Sequence, residues 1–211
     1  MKIESPKFSQ DTTAAAAEFF PAAEERTESL RFAKADFAAR PLAGAEFYEC
    51  IFSSCAFTQA RLRGADFADV SFERCDFSGA DLSKCSFRRV RFSDCKGVGA
   101  DFSESSFRDV LFEKCALSYS NFNESKCNAA AFTDCVMSSA DMAHCALKNF
   151  SAEKCVFARV NFFRTLLKGA DLRTSDIAGA AFSGDLCELK GAKINMMQGA
   201  ALLRALGIDA E

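Results

Sequence analysis

The sequence predicts an all-β protein, a square solenoid whose short strands turn a corner every five residues. Three observations carry this. From Phe32 to Phe182 every fifth residue is large and apolar, beginning Phe32, Phe37, Leu42, Phe47, Phe52, Phe57, Leu62, Phe67, and the register never slips. Gly97 interrupts the series and Ala152 weakens it. The residue two before each of these is small or compact, as at Ala45, Cys50, Cys55, Ala60, Ala65 and Val70. Finally, VSFERC (70–75), VRFSDC (90–95), VLFEKC (110–115) and AAFTDC (130–135) recur at twenty-residue intervals.

Two inward residues in five, two apart, are what one short strand presents to a core. A helix would need apolar spacings of three and four, so the period of five excludes it over this region. Each unit therefore makes one side and one corner. The twenty-residue recurrence makes four sides per coil, with equivalent residues stacked in ladders at the strand spacing of about 4.8 Å. The repeat is long enough for about eight coils and a rod of roughly 35–40 Å.

The 11 cysteines fall on this pattern. Cys55, Cys75, Cys95, Cys115, Cys135 and Cys155 form one expected ladder, beside an aromatic ladder of Phe72, Phe92, Phe112 and Phe132. Cys127 and Cys187 take the large inward position, so all the thiols are expected to point inward. A free cysteine packs as a small hydrophobe. A structural zinc site needs ligands converging on one point, and a stack spaced by whole coils with one His in the chain does not converge. No metal and no cofactor are expected.

Composition narrows the function classes. The chain has 211 residues, 23 Phe, no Trp and a formal net charge of -3. Residues 31–182 hold 20 Lys+Arg and 19 Asp+Glu, leaving 6 and 10 for the termini, so the body is nearly neutral. No run of basic residues marks a nucleic-acid groove, and no direct nucleic-acid partner is expected. The N-terminus shows no apolar leader and no window is long enough to span a membrane. A cytoplasmic location is expected, where thiols stay reduced. His144 is alone and outward, no Gly-rich phosphate loop is present, and a flat wall offers no pocket for acid-base work, so an enzyme is not expected.

Stacked coils leave open edges at both ends that must be covered. Three parts are expected: residues 1–29 as an N-terminal cap segment, 30–187 as the solenoid, and 188–211 as a tail. Thr12 or Thr13 is positioned to cap a brief helix through Glu18, ended by Pro21. Residues 197–206 read as a short helix stopped by Gly207. Its apolar residues, with Leu202, Leu203, Leu206 and Ile208 foremost, suit a cap on the last coil or a homodimer contact.

One outward column is acidic or amidic: Asp81, Asp101, Asn121, Asp141, Asn161, with Asp66, Glu104 and Glu124 nearby. These residues suit a negative binding surface, and Asp and Asn at this position also satisfy turn backbone. The facing column, Glu73-Arg74, Glu113-Lys114 and Glu153-Lys154, reads as neutralised, and Arg88, Arg89 and Arg91 form a local basic cluster.

Units such as GADF (64–67), GADL (79–82), GADF (99–102) and GADL (169–172) resemble the A-D/N-L/F consensus of pentapeptide repeat proteins, over about residues 30–185. The resemblance implies a right-handed quadrilateral β-helix. The tail, LKGAKIN (189–195) then QGAALLRALGI (198–208), is similar to the ending of the Qnr and MfpA group. That likeness implies an end-to-end homodimer and a rod that binds DNA gyrase and topoisomerase IV in place of DNA, with protection from fluoroquinolones or modulated supercoiling. Unlike many Qnr proteins, this chain has no loop breaking the register between 32 and 182. The alternative is a general protein-interaction solenoid, a scaffold or secreted effector.

Overall fold

The computed structural model describes residues 3–10, 12–15 and 21–208. They form a right-handed, four-sided β-helix of about seven turns with one short C-terminal helix. The walls are numbered in chain order. The first and second walls are made by β2 (Arg26–Glu28), β3 (Leu30–Ala33), β4 (Glu46–Tyr48), β5 (Ile51–Ser53), β6 (Asp66–Glu73), β7 (Ser86–Ser93), β8 (Ser106–Glu113), β9 (Lys126–Thr133) and β10 (Ala146–Glu153). β6 to β10 each bend through the corner between these two walls. All pairings among β2 to β10 are parallel and pair residues twenty apart, as in Phe72↔Phe92, Phe92↔Phe112 and Phe112↔Phe132. The third and fourth walls are built of single bridges at the same offset, such as Asp76↔Lys96 and Asp81↔Asp101.

The corner residues explain the period. Every fifth residue from Glu24 to Gly169 has a positive φ, among them Asp69 (φ 57), Arg89 (φ 52), Glu104 (φ 56) and Gly79 (φ 65). A left-handed residue is costly for side chains other than Gly, so the coils above and below must hold it. They do so through hydrogen bonds between coils, for example Gly79 N–H to Val98 O at 3.0 Å and Glu104 N–H to Asn123 O at 2.8 Å.

The core is a set of ladders. Phe32, Phe52, Phe72, Phe92, Phe112 and Phe132 stack with centroids 4.6–5.1 Å apart and planes within 18° of parallel. Strand spacing sets that separation, and it falls at the short end of the range for aromatic pairs. The second-wall stack ends where Ala152 replaces Phe. Phe150, two residues earlier, leans in beneath Phe132 at 5.7 Å and fills the gap. At Gly97 an added Cβ would meet Leu117 Cδ2 at 2.8 Å, so a side chain from the next coil occupies that space.

Ten of the eleven cysteines are buried, including Cys127, and Cys187 is exposed. Cys187 thus departs from the expected inward position. Coil-to-coil bonds show why: Leu167 N–H reaches Glu188 O and Leu172 N–H reaches Lys193 O, an offset longer than twenty. The extra residues bulge at a 3-10 turn, Cys187–Leu189. Leu189, Ala192 and Ile194 then pack on the core, and the last coil runs to the Asp171↔Lys193 bridge.

The N-terminal segment also departs from expectation. β1 (Thr13–Ala14) pairs with the open edge of β3 where a helix was expected to start. The rest of that expected helix, through Glu18, lies outside the described residues. Residues 3–10 run down the corner between the first and second walls. Lys7 N–H donates to Asp69 Oδ1 and Ser9 N–H to Glu49 Oε2, each at 2.9 Å, and Glu4 N–H to Asp109 Oδ1 at 3.4 Å. The strap buries outward positions of β6 that stay open on other strands, leaving Ala68, Asp69 and Ser71 at most 8% exposed. Burial works against the Asp69 charge, but the Arg89 guanidinium and the Lys7 N–H outweigh it and hold the carboxyl below its usual range.

Candidate functional site

The thiol ladder is packing. Cys75, Cys95, Cys115 and Cys135 each donate to a carbonyl in the preceding coil, of Phe52, Phe72, Phe92 and Phe112 respectively, at 3.4–3.5 Å. Burial pushes the Cys50 thiol up to about 11 and the Cys85 thiol up to about 12. Neighbouring sulfurs and burial together raise Cys55, Cys95 and Cys155. The neighbouring sulfurs shift Cys75 and Cys115 the other way, but all ten inward thiols are buried out of reach of a reagent, so a thiol reagent at neutral pH is expected to label Cys187 in the native protein and the remaining cysteines only after unfolding. Rapid native labelling of several more thiols, read by mass spectrometry, would contradict the ladder. Cys187 lies near Asp185 and Glu188, their ligand-type atoms within 4.8 Å of one another. The Ser183 hydroxyl sits among them, 2.6 Å from Glu188 Oε1 and 3.0 Å from Asp185 Oδ1, so the cluster is internally satisfied.

The fourth wall carries most of the expected acidic surface. Asp81, Asp101, Asn121, Asp141 and Asn161 bridge in sequence from coil to coil. Each accepts the N–H two residues on: Ser83 at 3.0 Å, Ser103 at 2.9 Å, Asn123 at 3.0 Å, Ala143 at 3.3 Å and Phe163 at 3.0 Å. The column therefore does the turn work that its residue types allow. In all three Asp the bonded atom is Oδ1, which leaves Oδ2 for a partner. Glu104 and Glu124 stand exposed at the neighbouring corner, with Glu104 3.2 Å from Lys84. Asp66 does not join them. It lies on the first wall, where the Tyr48 hydroxyl donates to it at 3.0 Å.

On the second wall two of the three expected neighbour pairs form, and Glu113 takes Arg91 in place of Lys114. Glu73 pairs with Arg74 at 4.0 Å, Glu153 with Lys154 at 3.6 Å, and Glu113 with Arg91 at 2.6 Å. The basic trio also divides: Arg89 grips Asp69 and Arg91 grips Glu113, while Arg88 points outward on the first wall.

The tail helix α1 (Met196–Ala205) begins with a capping box, Gln198 N–H to Asn195 Oδ1 at 2.9 Å and Asn195 N–H to Gln198 Oε1 at 2.7 Å. Gln198 Nε2 then donates to Leu172 O and Ser175 O of the last coil at 2.9 and 2.6 Å. This amide fixes the helix across the open end of the solenoid. Leu202 packs on the core, whereas Leu203, Leu206 and Ile208 are 39%, 45% and 49% exposed and Met196 and Met197 more so. A groove of about 340 Å³ runs between α1 and the coil at 175–180, walled by Ile177, Ala180, Ala201 and Ala205. No helix among the described residues is long and apolar enough to cross a membrane.

The class so defined is a repeat solenoid that presents its side chains on walls and corners. The chain belongs to the pentapeptide repeat family: the pentapeptide repeat region matches residues 65–128 and 105–182, and pentapeptide repeats in nine copies match 29–86. No curated protein matches it. Among solved structures it is similar to a trypsin-treated form of QnrB1, a plasmid-mediated fluoroquinolone resistance protein, at 20% identity and TM-score 0.38, covering 94% of this chain and 96% of that one. HetL, a pentapeptide repeat protein involved in heterocyst differentiation regulation in the cyanobacterium Nostoc sp. strain PCC 7120, gives 18% identity, TM-score 0.38 and coverages of 81% and 87%. A thylakoid-lumen pentapeptide repeat protein of Arabidopsis thaliana gives 23%, 0.32, 56% and 70%.

Proposed function

We propose that the protein is a non-catalytic, DNA-mimicking rod that binds a type II topoisomerase, gyrase or topoisomerase IV, at its DNA-binding groove. The observation that carries this reading is the alignment of Asp81, Asp101 and Asp141 in one column, with Asn121 between the last two, beside Glu104 and Glu124. A rigid column of carboxylates competes for a basic groove in the way a phosphate backbone does. The tail supports it, since α1 offers an apolar contact through which two copies would meet end to end and lengthen the rod. The protection of gyrase from fluoroquinolones follows from the same competition.

The test is binding of purified protein to gyrase and to topoisomerase IV, comparing the native sequence with an Asp101→Asn, Glu124→Lys double variant, in which the new amide keeps the Oδ1 that accepts the Ser103 N–H, as Asn121 does for Asn123. The variant is expected to lose tenfold or more in affinity at an unchanged melting temperature. Equal affinity would remove the acidic wall from the interface.

A second reading, a protein-interaction solenoid with another partner, is favoured by the third wall. There Val98, Tyr119 and Val136 are 43%, 65% and 41% exposed. Absence of binding to gyrase and topoisomerase IV, with another partner bound by the native protein and lost on Tyr119→Glu, would select this reading.

A further inference from the structure

We propose that the C-terminal half of the first wall is a docking surface for the phosphate backbone of duplex nucleic acid, independent of base sequence. Arg88, Arg108, Lys126, Lys148 and Lys168 all project from this wall and are exposed. Arg88 pairs in register with Arg108, Arg108 with Asn128, and Asn128 with Lys148, so one column runs straight down the wall. Lys168 follows twenty residues on, and Lys126 stands in the adjacent column two residues away. None of these cations has a carboxylate at ion-pair distance among the described residues, whereas Arg89 and Arg91 next to them are both committed to acids. From residue 86 to 168 the other outward positions of the wall are Ser, Asn, Ala or Leu. The outcome is an acid-free basic strip, roughly 19 Å long at strand spacing, on a chain of net charge -3.

The chemistry of the strip selects its partner. It carries no exposed aromatic residue, so it lacks the stacking platform that single strands use. A flat sheet does not enter a groove to read base edges. What remains is a line of cations suited to phosphates, the contacts that position a protein on a duplex without specifying sequence. Glu104, Glu124 and Asp109 border the strip at its corners. Glu104 is paired with Lys84 and Asp109 accepts the Glu4 N–H. In the sequence most of these cations lie twenty residues apart and form no run that would mark a nucleic-acid partner; the coil brings them together.

The test uses the full-length protein and a short fluorescein-labelled DNA duplex, followed by anisotropy, with no topoisomerase present. It therefore succeeds or fails independently of the topoisomerase reading. At about -0.9 per neutralised phosphate, the five named cations give a log–log salt slope of about -4.5, a loss of about 500-fold between about 50 and about 200 mM salt. An Arg108→Glu, Lys148→Glu double variant is expected to weaken binding at least tenfold and flatten the slope by about 2. A charge-matched Lys34→Glu, Lys96→Glu variant, on the second and third walls, is expected to keep most of the affinity. Absence of duplex binding at about 50 mM salt, equal losses in both variants, or binding to polyglutamate without binding to duplex would each overturn the proposal.

Discussion

Phe112→Asp is expected to unfold the central coils at room temperature. Phe112 is 1% exposed and stacks on Phe92 at 4.6 Å and Phe132 at 4.7 Å, with Phe107, Phe102 and Phe122 meeting it at 6.1–6.2 Å. Loss of the ring alone costs about 3–5 kcal/mol. A carboxylate left there has no cation among its neighbours and adds a buried, unpaired charge. The total matches or exceeds the roughly 5–15 kcal/mol that holds a domain together. A solenoid spreads such damage, because each coil is stabilised mainly by the two that touch it. Circular dichroism of the variant should show lost strand signal. Phe112→Leu, which keeps an apolar filling, should stay folded at a cost of about 1–2 kcal/mol. A normal melting temperature for Phe112→Asp would refute the inward assignment and the ladder with it.

Leu206→Asp is the second large effect, and it falls on assembly while leaving the fold intact. Leu206 closes α1 at its C-cap and is nearly half exposed, in line with Leu203 and Ile208. Its side chain adds nothing that the solenoid needs, since the helix is tied down by Gln198 and Leu202. The charge should convert a dimer to a monomer by light scattering, with no fall in melting temperature, and should weaken topoisomerase binding through the shortened rod. A native protein that is already monomeric at working concentration would remove the end-to-end contact from the account. A variant that loses helix and melts early would make α1 a cap alone.

The inward half of this protein was legible in its sequence and the outward half was much less so. Inward positions recur every five residues and admit few residue types, so Phe32 to Phe182 could be placed by counting. Local exchanges escaped the count. Phe150 and Ala152 trade roles within one strand, and the extra residues near Cys187 turn a buried position outward. Both are readable only against a neighbouring coil. The acidic column was visible because its members share a position in the unit, yet Asp66, similar in sequence context, lies on another wall beside Tyr48. The strap was invisible because it is held by backbone N–H groups donated to Glu49, Asp69 and Asp109, and such bonds leave no mark on residue choice in residues 3–10. The basic strip needed the twenty-residue register applied to exposed residues, where composition is otherwise permissive.

The central claim is tested most directly by gyrase supercoiling with the purified protein titrated in, with and without a fluoroquinolone. The protein is expected to restore supercoiling in the presence of the drug, or to inhibit it in the drug's absence, at concentrations where the Asp101→Asn, Glu124→Lys variant does neither. No effect of the native protein on gyrase or on topoisomerase IV, with or without drug, would contradict it.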